Sequence, residues 1–201
     1  MKKFLILLCG LVMIFGFAGA AGATVLTFDD ISTAQSGTIA NGYGGFDWDQ
    51  FGYVNGVIGS GYDNGTVSGD YVAANQWANV ATVGEFSFDF NGAYFTGAWN
   101  DGLNINIQGF SNGSVLYDET IQVDHYGPTW FAANFVGIDR LVIDSYGGIN
   151  AGIGGFGEHF AMDDFTFTEA APVPEPSTIL LMGAGLLGLV GYNRKRFNKE
   201  C

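Results

Sequence analysis

Through the middle of the chain the apolar positions fall two apart. Glu85-Phe86-Ser87-Phe88-Asp89-Phe90 places phenylalanine at every second position, and Asn104-Ile105-Asn106-Ile107-Gln108 alternates in the same way. A period of two turns one face of an extended strand into a core and the other into water. Further strands are predicted at Val25 to Phe28, Tyr71 to Ala74, Ala93 to Trp99, Ser114 to Tyr117, Glu119 to Val123, Thr129 to Phe135, Arg140 to Ser145 and Phe160 to Thr168. Asn112-Gly113, between two of these runs, is a hairpin signal. Gly42 to Gly69 and Gly147 to Gly157 are Gly-rich and read as long surface loops. Turn residues recur about every 8 to 12 positions, no long helix is visible and no internal repeat stands out. The pattern predicts an all-β fold, a two-sheet β-sandwich of the jelly-roll type.

The two ends break this pattern. Lys2 and Lys3 precede an apolar run from Phe4 to about Phe17, and small residues ending Ala21-Gly22-Ala23 follow. That order is a secretory signal with an A-x-A cleavage site, so residues 1–23 are expected to be removed and 24–172 to form the ectodomain. Near the C-terminus Ile179 to Tyr192 is apolar, and Arg194, Lys195, Arg196 and Lys199 follow it. Such cations stay cytoplasmic, which leaves the ectodomain outside. The apolar stretch reaches only about 21 Å as a helix, against a hydrocarbon core of about 30 Å, and makes a poor permanent span.

Val173-Pro174-Glu175-Pro176-Ser177-Thr178 directly precedes that stretch. A Pro-Glu-Pro motif (173–178), a short apolar helix (179–192) and a basic tail (193–201) together resemble the tripartite PEP-CTERM sorting signal. The resemblance implies export by the Sec machinery and recognition at Pro174, Glu175 and Pro176 by an exosortase in the inner membrane of a Gram-negative cell. The tail would then be removed and the protein released to the envelope surface or extracellular matrix. Contact with a membrane would be confined to the sorting helix.

Removing both ends changes the charge. The whole chain carries a formal −13, but between Thr24 and Pro172 a single cation, Arg140, stands against 18 acids, a formal −17. A surface of that sign repels phosphate backbones, which excludes nucleic acid as a partner. The two cysteines, Cys9 and Cys201, both lie in the end segments, so the ectodomain must be held by its core and not by disulfides.

The ectodomain has its own resemblance. Leu26-Thr27-Phe28-Asp29-Asp30, Asn41-Gly42-Tyr43-Gly44-Gly45-Phe46-Asp47-Trp48, Ala98-Trp99-Asn100-Asp101-Gly102-Leu103 and His159-Phe160-Ala161-Met162-Asp163-Asp164-Phe165-Thr166 are similar to stretches of galactose-binding-like jelly rolls that accompany PEP-CTERM tails. These are akin to noncatalytic carbohydrate-binding modules. In such modules a calcium ion often joins the chain ends, which the resemblance implies for the carboxylate pairs Asp29-Asp30 and Asp163-Asp164. Hard cations take six to eight oxygens from such groups. The competing reading is that one aspartate of each pair caps a turn and the other is solvated.

Sugar rings stack on exposed aromatic faces while carboxylates and amides hold their hydroxyls. Asp47 with Trp48, and Trp99 with Asp101, combine both kinds of group, and Trp48 in its Gly-rich segment is the first candidate. A polysaccharide is the expected ligand, in an exopolysaccharide matrix. The rival functions are a glycan-active enzyme, a glycosidase or lyase using a carboxylate pair, and a structural matrix protein without a ligand. Other motifs carry less. Gly109-Phe110-Ser111-Asn112-Gly113 fits the nucleophile elbow of serine hydrolases but falls on a hairpin where the elbow needs a strand-to-helix turn. Gly152-Ile153-Gly154-Gly155-Phe156-Gly157 fits a dinucleotide fingerprint, yet a strand follows where a helix is required. His125 and His159 lack zinc spacing.

Overall fold

The computed structural model describes residues 22–56, 59–169 and 183. The expected signal peptide up to residue 21 and the sorting motif, apolar segment and basic tail of 173–201 lie outside the described residues, Gly183 excepted. Among the described residues no helix is long and apolar enough to cross a membrane. The chain divides into two units, Met1–Ala170 and Ala171–Cys201, and the first holds all the described strands.

Those strands are β1 (Thr24–Leu26), β2 (Ser36–Thr38), β3 (Asp47–Asp49), β4 (Phe51–Asn55), β5 (Tyr71–Asn75), β6 (Ala81–Gly97), β7 (Asn100–Asp101), β8 (Leu103–Ser111), β9 (Ser114–Val123), β10 (Thr129–Phe131), β11 (Phe135–Tyr146), β12 (Ile149–Asn150) and β13 (Phe160–Glu169). Hydrogen bonds link them in the order β2-β4-β5-β13-β6-β11-β8-β9, with β1 on β13 and both β3 and β10 on β6; β7 and β12 pair separately. The long strand β6 serves two layers. Its first half pairs with β3 and β11, and its second half with β13 and β10. The result is a sandwich-like arrangement: one layer runs β3-β6-β11-β8-β9, the other β2-β4-β5-β13-β6-β10. β1 joins the last strand, with Leu26 opposite Phe165.

The space between the layers is filled by phenylalanine. Phe28, Phe46, Phe51, Phe88, Phe90, Phe95, Phe135, Phe160, Phe165 and Phe167 are all fully buried. Their rings meet in offset or edge-on pairs, such as Phe46 with Phe167 at 4.7 Å between centroids and Phe90 with Phe165 at 4.9 Å. Each buried ring is worth about 1.5–3 kcal/mol, and a good ring pair adds roughly 1 kcal/mol. A core of this kind holds without a disulfide. A smaller cluster, Tyr62, Val72, Ala74, Ala98 and Ala161, lies on the outward face of the second layer. It is covered by the helical turn Gly61–Asn64, whose first turn is capped by Ser60 accepting the Tyr62 N–H at 3.2 Å.

The hairpin signal is realised: Asn112 (φ 50°) and Gly113 (φ 78°) join β8 to β9, with Ser111 opposite Ser114. The expected loop from Gly42 to Gly69 is corrected. It contains β3, β4 and the helical turn, and it buries Phe46, Trp48 and Phe51. Its strands are so short that alternation spans only Asp47-Trp48-Asp49, out-in-out, and the surrounding glycines mask it. β6 fuses two predicted strands, and β9 fuses two more. In β13, Met162 and Phe165 both reach the core although they are three apart. A bulge at Asp163-Asp164, with Asp164 at φ 50°, supplies the extra residue that resets the alternation.

Candidate functional site

At the edge of the second layer, Thr38, Gly52 and Ala74 stand opposite one another on β2, β4 and β5, with Ser36, Val54 and Val72 in the next row. Residues opposite each other across paired strands share a face. Val72 and Ala74 belong to the outward cluster, so this face points away from the phenylalanine core. Its side chains are small, and the floor is correspondingly low. Tyr62 from the helical turn, Gln76 and Trp77 from the turn after β5, and His159 ahead of β13 rise around it. Together they enclose a groove of about 300 Å³.

Trp77 is its most unusual member. The residue is 85% exposed and its backbone is left-handed, at φ 58° and ψ 23°. A side chain with a Cβ is disfavoured there by roughly 1–2 kcal/mol, and such strain persists only where neighbours impose it. They do so here. The Gln76 N–H donates to the Gln50 carbonyl at 2.8 Å, the Asn79 N–H to the Gln76 carbonyl at 3.0 Å, and the Asn79 amide to Gln50 Oε1 at 2.9 Å. Gln76 Nε2 donates to Thr38 Oγ1 at 2.8 Å and ties the turn to the groove floor.

Below the turn lies Asn75, almost fully buried. Its amide donates to Ser145 Oγ at 3.0 Å, its Oδ1 accepts the Phe160 N–H at 2.9 Å, and His159 Nδ1 sits 3.1 Å from its carbonyl. The same side-chain amide also donates to the Asn79 carbonyl at 3.4 Å, so Asn75 holds the tryptophan turn through its side chain and meets His159 through its backbone carbonyl. Burial pushes the Tyr62 phenol up to about 12, so it remains a neutral hydroxyl across the physiological range. The groove therefore offers an exposed indole face, a low floor, and hydroxyl, amide and imidazole groups at its rim. Among the described residues, no acid and no lysine or arginine lines it.

A second depression, about 730 Å³, opens on the outward face of the first layer. Gly84 stands between Asp47 on β3 and Arg140 on β11, so the row is empty at its centre. Asp49, Glu85 and Asp139 also line it. Arg140 lies over the Phe110 ring at 4.3 Å. The Asp47 carboxylate, by accepting a hydrogen bond from the protonated Glu85 carboxyl and then by charge repulsion, holds Glu85 above the usual carboxylate range.

The structure keeps Asp47 and Trp48 together at the acidic cleft and places Trp99 and Asp101 away from both depressions. Trp48 is 5% exposed, its Nε1 donates to the Tyr43 carbonyl at 2.9 Å, and its ring packs edge-on against Phe51 at 5.2 Å. Its place on the inward side of β3 makes it mostly core, although it also lines the acidic cleft into which its neighbour Asp47 points. Trp99 is half-buried against Tyr62, and the backbone at Gly155 lies so close to its indole that a Cβ there would collide with it. Asp101 is engaged with His125, its Oδ1 lying 2.6 Å from Nδ1 and accepting the His125 N–H at 3.1 Å. These bonds hold Asp101 below the usual carboxylate range. Neither Trp99 nor Asp101 lines either depression.

The carboxylates expected to hold calcium are engaged with donors of the protein itself. Asp29 Oδ1 accepts the N–H groups of Asp70 and Tyr71 at 2.7 and 3.2 Å, and Asp30 accepts the Tyr43 hydroxyl at 2.9 Å. Asp163, fully buried, accepts the Val67, Ser68 and Asp164 N–H groups at 2.7, 3.0 and 2.7 Å, and Asp164 accepts the Ser68 hydroxyl at 2.6 Å. The two chain ends do converge on residues 67–71, whose backbone N–H groups donate to one oxygen of Asp29 and one of Asp163. Among the described residues no group of three or more His, Cys, Asp or Glu side chains is placed to hold a metal ion. Desolvation pushes the Asp163 carboxyl up to about 6 in spite of its three N–H donors. As expected, Ser111 lies at a hairpin and not at an elbow, and its hydrogen-bond neighbour is Asn112 Nδ2 at 3.4 Å.

Trp77 carried a faint sequence signal. It ends no alternating run and sits in Asn75-Gln76-Trp77-Ala78-Asn79, an aromatic among amides, where a core residue has no reason to be. The left-handed backbone that exposes it is set by Gln50, distant in sequence.

Residues 172–195 match the PEP-CTERM protein-sorting motif. The motif marks the chain as an exported protein of the cell envelope. No curated protein matches it in sequence. Among solved structures it is similar to TmCBM61, a structure solved in complex with beta-1,4-galactotriose, at 11% identity. That likeness covers 71% of this chain and 94% of the other, with a TM-score of 0.34.

Proposed function

We propose that the exported domain is a noncatalytic carbohydrate-binding module, and that it holds polysaccharide in the groove beside Trp77. The observation that carries this reading is an indole 85% exposed on a strained, left-handed backbone that its neighbours enforce. Exposing that much apolar area and holding it in an unfavourable conformation both cost free energy, and strain of this kind collects at ligand sites. A sugar ring presents an apolar face that stacks on indole, and its hydroxyls would meet Gln76, Thr38, Ser36 and His159 at the rim. Export through the Sec machinery, recognition of Pro174-Glu175-Pro176 by an exosortase of a Gram-negative inner membrane, and release into an exopolysaccharide matrix complete the proposal. The sorting motif supports that route.

The test is retention of the purified protein by immobilised polysaccharides, compared with Trp77→Ala. Retention lost in the variant, with its melting temperature unchanged, supports the reading. Retention that Trp77→Ala does not weaken removes the groove from it. Release of reducing ends by the wild type, abolished by Glu85→Gln, would instead favour a glycan-active enzyme working in the acidic cleft.

A further inference from the structure

Resting on the groove reading, we infer that the polysaccharide bound beside Trp77 is neutral, carrying neither uronate nor sulfate groups. The groove is lined by Ser36, Thr38, Gln76, Trp77 and His159 among others, and none of its members is a lysine or arginine. Arg140, the one such residue between Thr24 and Pro172, lines the cleft on the other layer and lies over Phe110. An anionic chain would therefore meet no fixed cation among the described residues of the site. It would also approach a domain of formal charge −17, whose field repels anions over about a Debye length. Proteins that bind carboxylate- or sulfate-bearing ligands place forked guanidinium or ammonium donors against them, because an unpaired anion brought to a surface loses hydration without compensation.

The groove's own groups suit hydroxyls. Thr38, Ser36 and the Gln76 amide both donate and accept, and the Tyr62 hydroxyl stays protonated because burial raises its titration to about 12. Their hydrogen bonds are neutral, so affinity for a neutral glycan is insensitive to salt.

The experiment is affinity electrophoresis of the purified protein, wild type and Trp77→Ala, through gels containing a neutral β-glucan, a neutral galactan, alginate or dextran sulfate, at low and high ionic strength. The expected result is retardation by a neutral polymer, lost in Trp77→Ala, changing less than about twofold between salt conditions, with affinity for the anionic polymers lower by at least about tenfold. Retardation by alginate or dextran sulfate that Trp77→Ala abolishes would overturn the neutral-ligand inference and leave the groove reading standing. Retardation by no polymer, or retardation that Trp77→Ala leaves intact, would overturn both. A Ser36→Lys variant that gains retardation by alginate, reversed by salt, would further show that the missing cation is what excludes anions.

Discussion

Replacing Trp77 with asparagine is expected to stabilise the protein. For an ordinary tryptophan this would be perverse, since truncating a buried one costs about 3–5 kcal/mol. Trp77 is 85% exposed, so almost none of that burial is at stake. Its backbone at φ 58° and ψ 23° costs a β-carbon residue roughly 1–2 kcal/mol, most of which asparagine avoids because its short polar side chain tolerates the left-handed region. Asparagine also gives the unfolded chain less added freedom than glycine would. The hydrogen bonds that pin the turn come from the backbone of Gln76 and from Gln50 and Asn79, and none requires the indole. The net gain is about 1 kcal/mol, or about 2–4 °C in melting temperature for a domain near 150 residues. Binding should move in the opposite direction, with glycan affinity falling at least tenfold, as for an aromatic hot spot worth about 1.4 kcal/mol or more. Urea unfolding and polysaccharide retention on the same preparations read the two effects. A loss of more than about 2 kcal/mol in stability would show that Trp77 is structural and refute the argument from strain.

Four further outcomes follow from the same contacts. Asp163 titrates near 6 in the fold against 3.8 in its absence, so its contribution to stability is fully present below about 3.8 and is lost as pH rises through about 6. Against Asp163→Asn, the wild type should therefore lose on the order of 3 kcal/mol between pH 4 and 7, and parallel urea-midpoint profiles for the two proteins would contradict this. Asn75→Ala removes the buried amide that joins Ser145, Phe160 and the Trp77 turn, and should cost about 2–4 kcal/mol in urea unfolding while weakening glycan retention. Gly113→Ala forces a side chain onto φ 78° in the β8–β9 turn and should lower stability by about 1 kcal/mol without touching binding. Calcium against EGTA should shift the melting temperature by less than about 1 °C, because the aspartates at the chain ends already accept protein donors; saturating a real site would add about 2.7 kcal/mol, a rise of several degrees.

What the sequence makes legible is whatever depends on neighbours along the chain. Phe86-Ser87-Phe88-Asp89-Phe90 and Ile105-Asn106-Ile107 announce their strands because period two is sustained, and Asn112-Gly113 announces its turn through the φ values that those residues tolerate. The segment from Gly42 to Gly69 is opaque, since β3 spans three residues and its pairing with Thr82 to Gly84 is long-range. The candidate site fails for the same reason. Trp48 looks like a ligand residue in a Gly-rich stretch, but β3 turns it inward; Trp77 looks like any other tryptophan until Gln50 pins its turn. The first and last strands pair, and Asp29 and Asp163, just beyond that pairing, both accept donors from residues 67–71. Their oxygens go to the backbone of residues 67–71, whose position local sequence does not encode.

The most direct measurement is a proton–nitrogen correlation spectrum of the purified protein titrated with a neutral oligosaccharide. Its indole region separates Trp77 from Trp48, whose Nε1–H is bonded to the Tyr43 carbonyl. The groove account predicts saturable shifts of the Trp77 indole and the Gln76 side-chain amide, with the Trp48 indole stationary. Shifts confined to Trp48, Gly84 and Arg140 would place the ligand in the acidic cleft and contradict it.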